Sequence, residues 1–129
     1  METNFNFKSA ICTSREQSER LLALGLKKET ADMHHWESEG KIYTYVGQCS
    51  DVNGIPAWSL HRLIEMMPKN IAIDGDTAYP LQIQKRSDGK WCVGYQGWYD
   101  CVGDLYDSVI WIYQLLISED YLDEFCNKG

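Results

Sequence analysis

The stretch DLYDSVIWIYQLLI, residues 104–117, decides how the rest of the chain has to be arranged. At about 100° per residue, a helix here gathers Leu105, Tyr106, Val109, Ile110, Ile112, Tyr113, Leu116 and Ile117 on one stripe. Asp107, Gln114 and Ser118 fall on the far side. A stripe about 160° wide is too broad for a helix resting on one neighbour and suits one pressed into a sheet. Gly103 precedes it, and Asp104 offers an N-cap or first-turn acid. Trp111 and Leu115 stand off the stripe as an i, i+4 pair. They are expected to cover the C-terminal segment of Tyr121, Leu122 and Phe125, with a partner-binding patch as the second reading.

The sheet this helix needs lies upstream. Tyr79, Leu81 and Ile83 alternate with Gln82 and Gln84, and Trp91, Val93 and Tyr95 alternate with Cys92, Gly94 and Gln96, around a Ser87-Asp88-Gly89 turn. Two period-2 runs about such a turn predict a hairpin. KIYTYVG, residues 41–47, predicts another strand, with Ile42, Thr44 and Val46 on one face and Tyr43 and Tyr45 on the other. IAI, residues 71–73, reads as a weak strand before a turn at Asp74-Gly75-Asp76. Gly97 and Gly103 punctuate an expected loop into the last helix.

Helical signals occupy the rest. Thr13 and Ser14, with Glu16 and Gln17 three residues on, offer two overlapping capping boxes for a helix over about 14–24. Gly25 fits its left-handed C′ position, with Leu26 packing back on Leu21. Thr30 is placed to cap a turn or two through His34, ending before Gly40. Pro56 suits a first helical position, and the helix runs to Pro68 with Ala57, Leu60, Leu63, Ile64 and Met67 inward. These elements predict an α+β fold: one domain over residues 1–129, with a small, mostly antiparallel sheet of about 3–4 strands and two or three helices on one face.

Composition narrows the function. Apolar content of 44% and charged content of 24% are those of a globular chain, and 129 residues can build a real core. A net charge of −7 with scattered cations argues against nucleic acid and anionic membrane. No apolar run is long enough for a membrane span, and METNFNFKSAI has neither a basic n-region nor an apolar h-region. Cys12, Cys49, Cys92, Cys101 and Cys126 form an odd set without a CxxC pair, so reduced thiols in the cytoplasm are expected.

No spacing brings His34, His35 and His61 to a metal, and no cofactor is expected. Asp51–Asn53 and Asp74–Asp76 lack the bidentate Glu of a calcium loop and read as turns. Cys49 or Cys101 with His61 has no local signature of a nucleophile and base. The constellation worth following is Trp58, His61, Arg62 and Glu65, on the polar side of the middle helix. Trp58 with Arg62 and His61 with Glu65 are i, i+4 pairs, and an exposed Trp beside Arg is the sort of anchor that interfaces favour. The plainer reading folds Trp58 against a loop and pairs Arg62 with Glu65. A second surface is the aromatic set Tyr43, Tyr45, Trp91, Tyr95, Trp98 and Tyr99, whose supporting cations (Lys41, Lys85, Arg86, Lys90) are few for nucleic-acid stacking.

Three phrases, SREQSERLLALGLKKETADM, PAWSLHRLIEMMP and DSVIWIYQLLISEDYL, together resemble a group of short uncharacterised proteins of gut bacteria, their phages and mobile elements. The likeness touches about half of the chain. It implies a cytoplasmic accessory protein and brings no assigned reaction. The expected function is therefore a non-enzymatic protein-interaction module whose partner is another protein. The alternative is a small-molecule binder or small enzyme using the loops around Asp51–Asn53 and Asp74–Asp76.

Overall fold

The last helix, α3 (Leu105–Ser118), forms where its apolar stripe predicts. Asp104 caps it, its side chain accepting from the Asp107 N–H at 3.1 Å. Tyr106, Val109, Ile110, Ile112, Tyr113 and Leu116 are buried, and the helix packs on β7 (Trp91–Tyr95) and β8 (Trp98–Gly103). The computed structural model describes residues 10–48, 54–72, 77–96 and 98–127.

The fold is α+β with small antiparallel sheets. The described strands fall into three separate sheets. Strands β1 (Met33–Ser38), β2 (Lys41–Val46) and β3 (Ile55–Ala57) make a three-stranded sheet in the order β2-β1-β3. Strands β4 (Asn70–Ile71) and β5 (Tyr79–Pro80) make a two-stranded ladder, and β6 (Gln82–Lys85), β7 and β8 a second three-stranded sheet. One large cluster joins Leu21, Leu26, Trp58, Leu63, Val93, Tyr95 and the inward side of α3.

Helix α1 (Arg15–Ala23) closes as its sequence predicts. Ser14 and Gln17 form the capping box. Gly25, at φ +106°, sends its N–H to the Leu22 carbonyl, and Leu26 sends its own to Leu21. Leu21 and Leu26 are fully buried together, as this terminus requires. The overlapping Thr13–Glu16 box does not form, because the Thr13 hydroxyl is taken by Ser18 and by the Trp58 N–H.

Three expectations are corrected. The helical turn through His34 is instead a short 3₁₀ turn at Lys28–Thr30 followed by strand β1. Glu39 and Gly40 both adopt positive φ, a two-residue hairpin loop that pairs β1 with β2 from Ser38↔Lys41 to Met33↔Val46. Pro56 does not begin a helix. It sits in β3, an edge strand, where its missing N–H costs no ladder bond. Helix α2 (Leu60–Met66) starts later, under Ser59, whose side chain accepts from the Arg62 N–H. The loop expected between Gly97 and Gly103 is strand β8, paired with β7 across an irregularity at Trp91–Val93.

Candidate functional site

The delayed start of α2 dissolves the Trp58 constellation. Trp58 lies before the N-cap and turns inward to 0% exposure, its indole N–H donating to the Thr30 hydroxyl at 3.0 Å. It is a core residue and cannot anchor a partner. Arg62 donates to the Thr30 carbonyl at 2.8 Å and to Glu65 at 2.5 Å, so its fork ties α2 to the 3₁₀ turn. His61 projects into solvent with Glu65 at 3.8 Å. His61, Arg62 and Glu65 line a shallow cleft of about 400 Å³ with Glu29 and Asp32. Asp32 is committed inside it, accepting from the Ser59 N–H at 2.9 Å and its hydroxyl at 2.5 Å. This cleft is a braced joint between elements.

Trp111 and Leu115 are half-buried against the main cluster. Trp111 also lines a groove between α1 and α3, closed on one side by Arg20 and Asp107 at 2.8 Å. The charge of Asp107, which the helix period places on the far side, is thus spent holding α1.

No spacing points to the Cys12–His35 contact, which arises only when residues 10–13 pass over β1. Cys12 Sγ lies 3.8 Å from His35 Nε2, both buried. The same nitrogen is 2.7 Å from the Thr13 carbonyl, which can only accept, so it carries the proton and cannot take one from Cys12. The other ring nitrogen meets the Thr44 hydroxyl at 2.8 Å. Burial, helped by nearby Asp32, pushes the Cys12 thiol up to about 11. A protonated thiol beside an occupied imidazole is a structural pair rather than a nucleophile and base.

The expectation of reduced thiols is corrected at Cys92 and Cys101, which form a disulfide between β7 and β8. Their spacing of nine carries no sequence signature, since the strand pairing brings them together. Cys101 is therefore no nucleophile either, while Cys49 lies outside the described residues. So do Asp51–Asn53 and Asp74–Asp76, the loops of the small-molecule alternative. Beside the disulfide, Gln82, Gln84, Gly94 and Gln96 line an open cleft of about 290 Å³, with no charged group among the described residues that line it. Among the described residues no cluster of His, Cys, Asp and Glu could hold a metal ion.

The expected aromatic face is also divided. Tyr95 is buried in the second sheet, its hydroxyl donating to the Pro68 carbonyl, and Lys85 lies over the Trp91 ring. Tyr43 and Tyr45 belong to the first sheet and remain in solvent, with Trp36 and His34 as their partners in register. Tyr45 stacks on His34, ring centroids 5.4 Å apart.

Strand β2 is the surface that stands out. All six of its residues are exposed, Ile42 at 54% and Val46 at 86%. Neighbouring β1 buries Met33 and His35, and Cys12, Met33 and Ala57 form a small core of their own. That cover stops short of β2, which overhangs it with both faces wet. Its outer edge pairs with no described strand. Natural edge strands are usually blunted by proline, a bulge or an inward charge. Here Lys41 at the end of the strand is the lone charge.

Compared with known proteins, the chain matches no family model, no curated protein and no solved structure.

Proposed function

We propose that this chain is a non-enzymatic protein-interaction module of phage or mobile-element type, with β2 and the aromatic face beside it as the contact surface. The observation that carries the reading is an apolar edge strand exposed along its whole length. An extended segment added there would gain main-chain hydrogen bonds from the edge and specificity from alternate side chains. The described polar groups that invite catalysis, His35, Asp32, Arg62 and Glu65, have internal partners. A chain of net charge −7, whose only cation in this strand is Lys41, favours a protein partner over nucleic acid.

The proposed compartment is the cytoplasm. No helix among the described residues is long and apolar enough to cross a membrane. The Cys92–Cys101 bridge sets a condition on that placement, since the reducing cytoplasm opens such a bond.

Affinity capture from bacterial lysate tests the reading, with Tyr43→Ser/Tyr45→Ser as the surface variant. A protein retained by the wild type and lost by the folded variant is the expected result. Retention of the same protein by both removes β2 from the proposal, and so does retention of none by either when the chain is also monomeric.

A further inference from the structure

We propose that the occupant of the β2 edge is a second copy of the chain, paired antiparallel with Thr44 opposite Thr44 of that copy. This rests on the reading of β2 as an interaction surface and names its partner.

The main chain fixes which groups are on offer. In an antiparallel ladder, opposed residues alternate between pairs that exchange hydrogen bonds and pairs that do not. The Gly47 N–H donates to the Asp32 carbonyl at 2.6 Å, one step beyond the Met33↔Val46 pair. The bonded pairs are therefore His34↔Tyr45, Trp36↔Tyr43 and Ser38↔Lys41, in keeping with the two-residue turn at Glu39–Gly40. It follows that the N–H and C=O groups of Ile42, Thr44 and Val46 point away from β1, toward the open edge.

Self-pairing about Thr44 satisfies all three positions. Thr44 meets Thr44, Ile42 meets Val46 and Val46 meets Ile42, each pair exchanging two bonds, or about six in all. Side chains directly opposite share a face. Ile42 then lies against Val46 on the side where Met33 and His35 are buried, and Tyr43 lies against Tyr45 on the aromatic face. Aliphatic, hydroxyl and aromatic groups each meet their own kind, the pairs that stabilise sheets best. Lys41 falls opposite Gly47, so no like charges face each other.

Other registers do worse. Centring on Tyr43 keeps two bonded pairs within the strand, sets Ile42 on Thr44 and Lys41 on Tyr45, and leaves Val46 opposite the turn. A shift of one residue turns the covered side of one copy against the wet side of the other. The near-palindromic order of Ile42, Tyr43, Thr44, Tyr45 and Val46 lets an isologous two-fold contact set like against like. Two chains of net charge −7 repel at long range, so added salt should strengthen this dimer, whereas it would weaken the capture of a basic partner.

Sedimentation equilibrium over a range of protein and salt concentrations is the test. The expected result is twice the chain mass for the wild type, rising with salt, and the monomer mass for Thr44→Pro and for Ile42→Lys/Val46→Lys. Thr44 directs its N–H outward, so proline there keeps the β1–β2 ladder bonds but removes the hydroxyl that meets His35. The lysine pair stands at exposed positions and separates loss of contact from loss of fold, checked by circular dichroism. In a Cys49→Ser background, Thr44→Cys should cross-link to itself on mild oxidation and Tyr43→Cys should not. A wild type monomeric up to its solubility limit at high salt overturns the proposal. So does a dimer that both edge variants leave intact, or a dimer that forms only after residues 1–9 are removed, which would give the edge to that segment. A monomer that still captures a lysate protein through Tyr43 and Tyr45 defeats self-pairing alone and leaves the interaction reading standing.

Discussion

Trp58→Ala should destabilise the whole fold rather than silence a surface. The indole is fully buried in the main cluster, and truncating a buried Trp costs about 3–5 kcal/mol. Against a total stability of about 5–15 kcal/mol, that is a large share. With a urea slope of about 1–3 kcal/mol/M, the midpoint should fall by about 2 M. The N–H···O bond to Thr30 is separable from the packing by a double-mutant cycle. Thr30→Val leaves the indole N–H buried without its acceptor, a cost of about 1–3 kcal/mol. Trp58→Phe removes the donor and some area, and the double variant removes both partners. The hydroxyl of Thr30 also donates to the Lys27 carbonyl, but that loss occurs in both backgrounds and cancels. The expected coupling is about 1 kcal/mol. A Trp58→Ala midpoint equal to that of the wild type would refute the reasoning and return Trp58 to the solvent side of α2 beside Arg62.

Two further outcomes follow from buried chemistry. Cys92→Ser/Cys101→Ser, or reduction of the wild type, should cost about 2–3 kcal/mol for so short a closed loop, read as a melting temperature lower by about 10 °C; a melting temperature indifferent to reductant would remove the bridge. Burial raises the hydroxyls of Tyr95 and Tyr113, each of which donates to a main-chain carbonyl, Pro68 and Leu63 respectively. Their stabilisation is complete below the unfolded tyrosine value of about 10 and is lost as pH rises beyond it toward the folded values. Denaturation followed against pH should therefore show an alkaline fall that Tyr113→Phe makes shallower, and an unchanged fall would place the titration elsewhere.

What was legible in the chain was local. The stripe of α3, the Ser14–Gln17 box, the Gly25 terminus and the hairpin around Ser87-Asp88-Gly89 each depend on residues a few positions apart. The misreadings share a different cause. Glu39 is an unusual residue for a positive φ, so the turn that makes His34 and His35 part of a strand left little trace. Pro56 is equally at home at a helix start and in an edge strand, and only pairing with His34 decides between them. That choice moved Trp58 from the helix surface to the core, and the candidate site went with it. Strand β8 lies between glycines, and its pairing with β7 places Cys101 within reach of Cys92.

The candidate surface was half legible for the same reason. Period-2 alternation over residues 41–47 announces a strand and sorts Ile42, Thr44 and Val46 from Tyr43 and Tyr45. In a buried sheet one of those sets would be inside. Alternation alone cannot say whether the strand is central or at an edge, or whether the layer beneath reaches it. Here the cover formed by Cys12 and Ala57 stops at Met33, so both sets stay outside. Side chains that looked chemical in the sequence turn out to be bound into joints: Arg62 to Thr30, His35 to Thr13. The bonding capacity that carries the proposal is main chain, along strand β2, which is why a reading for reactive residues passes it by.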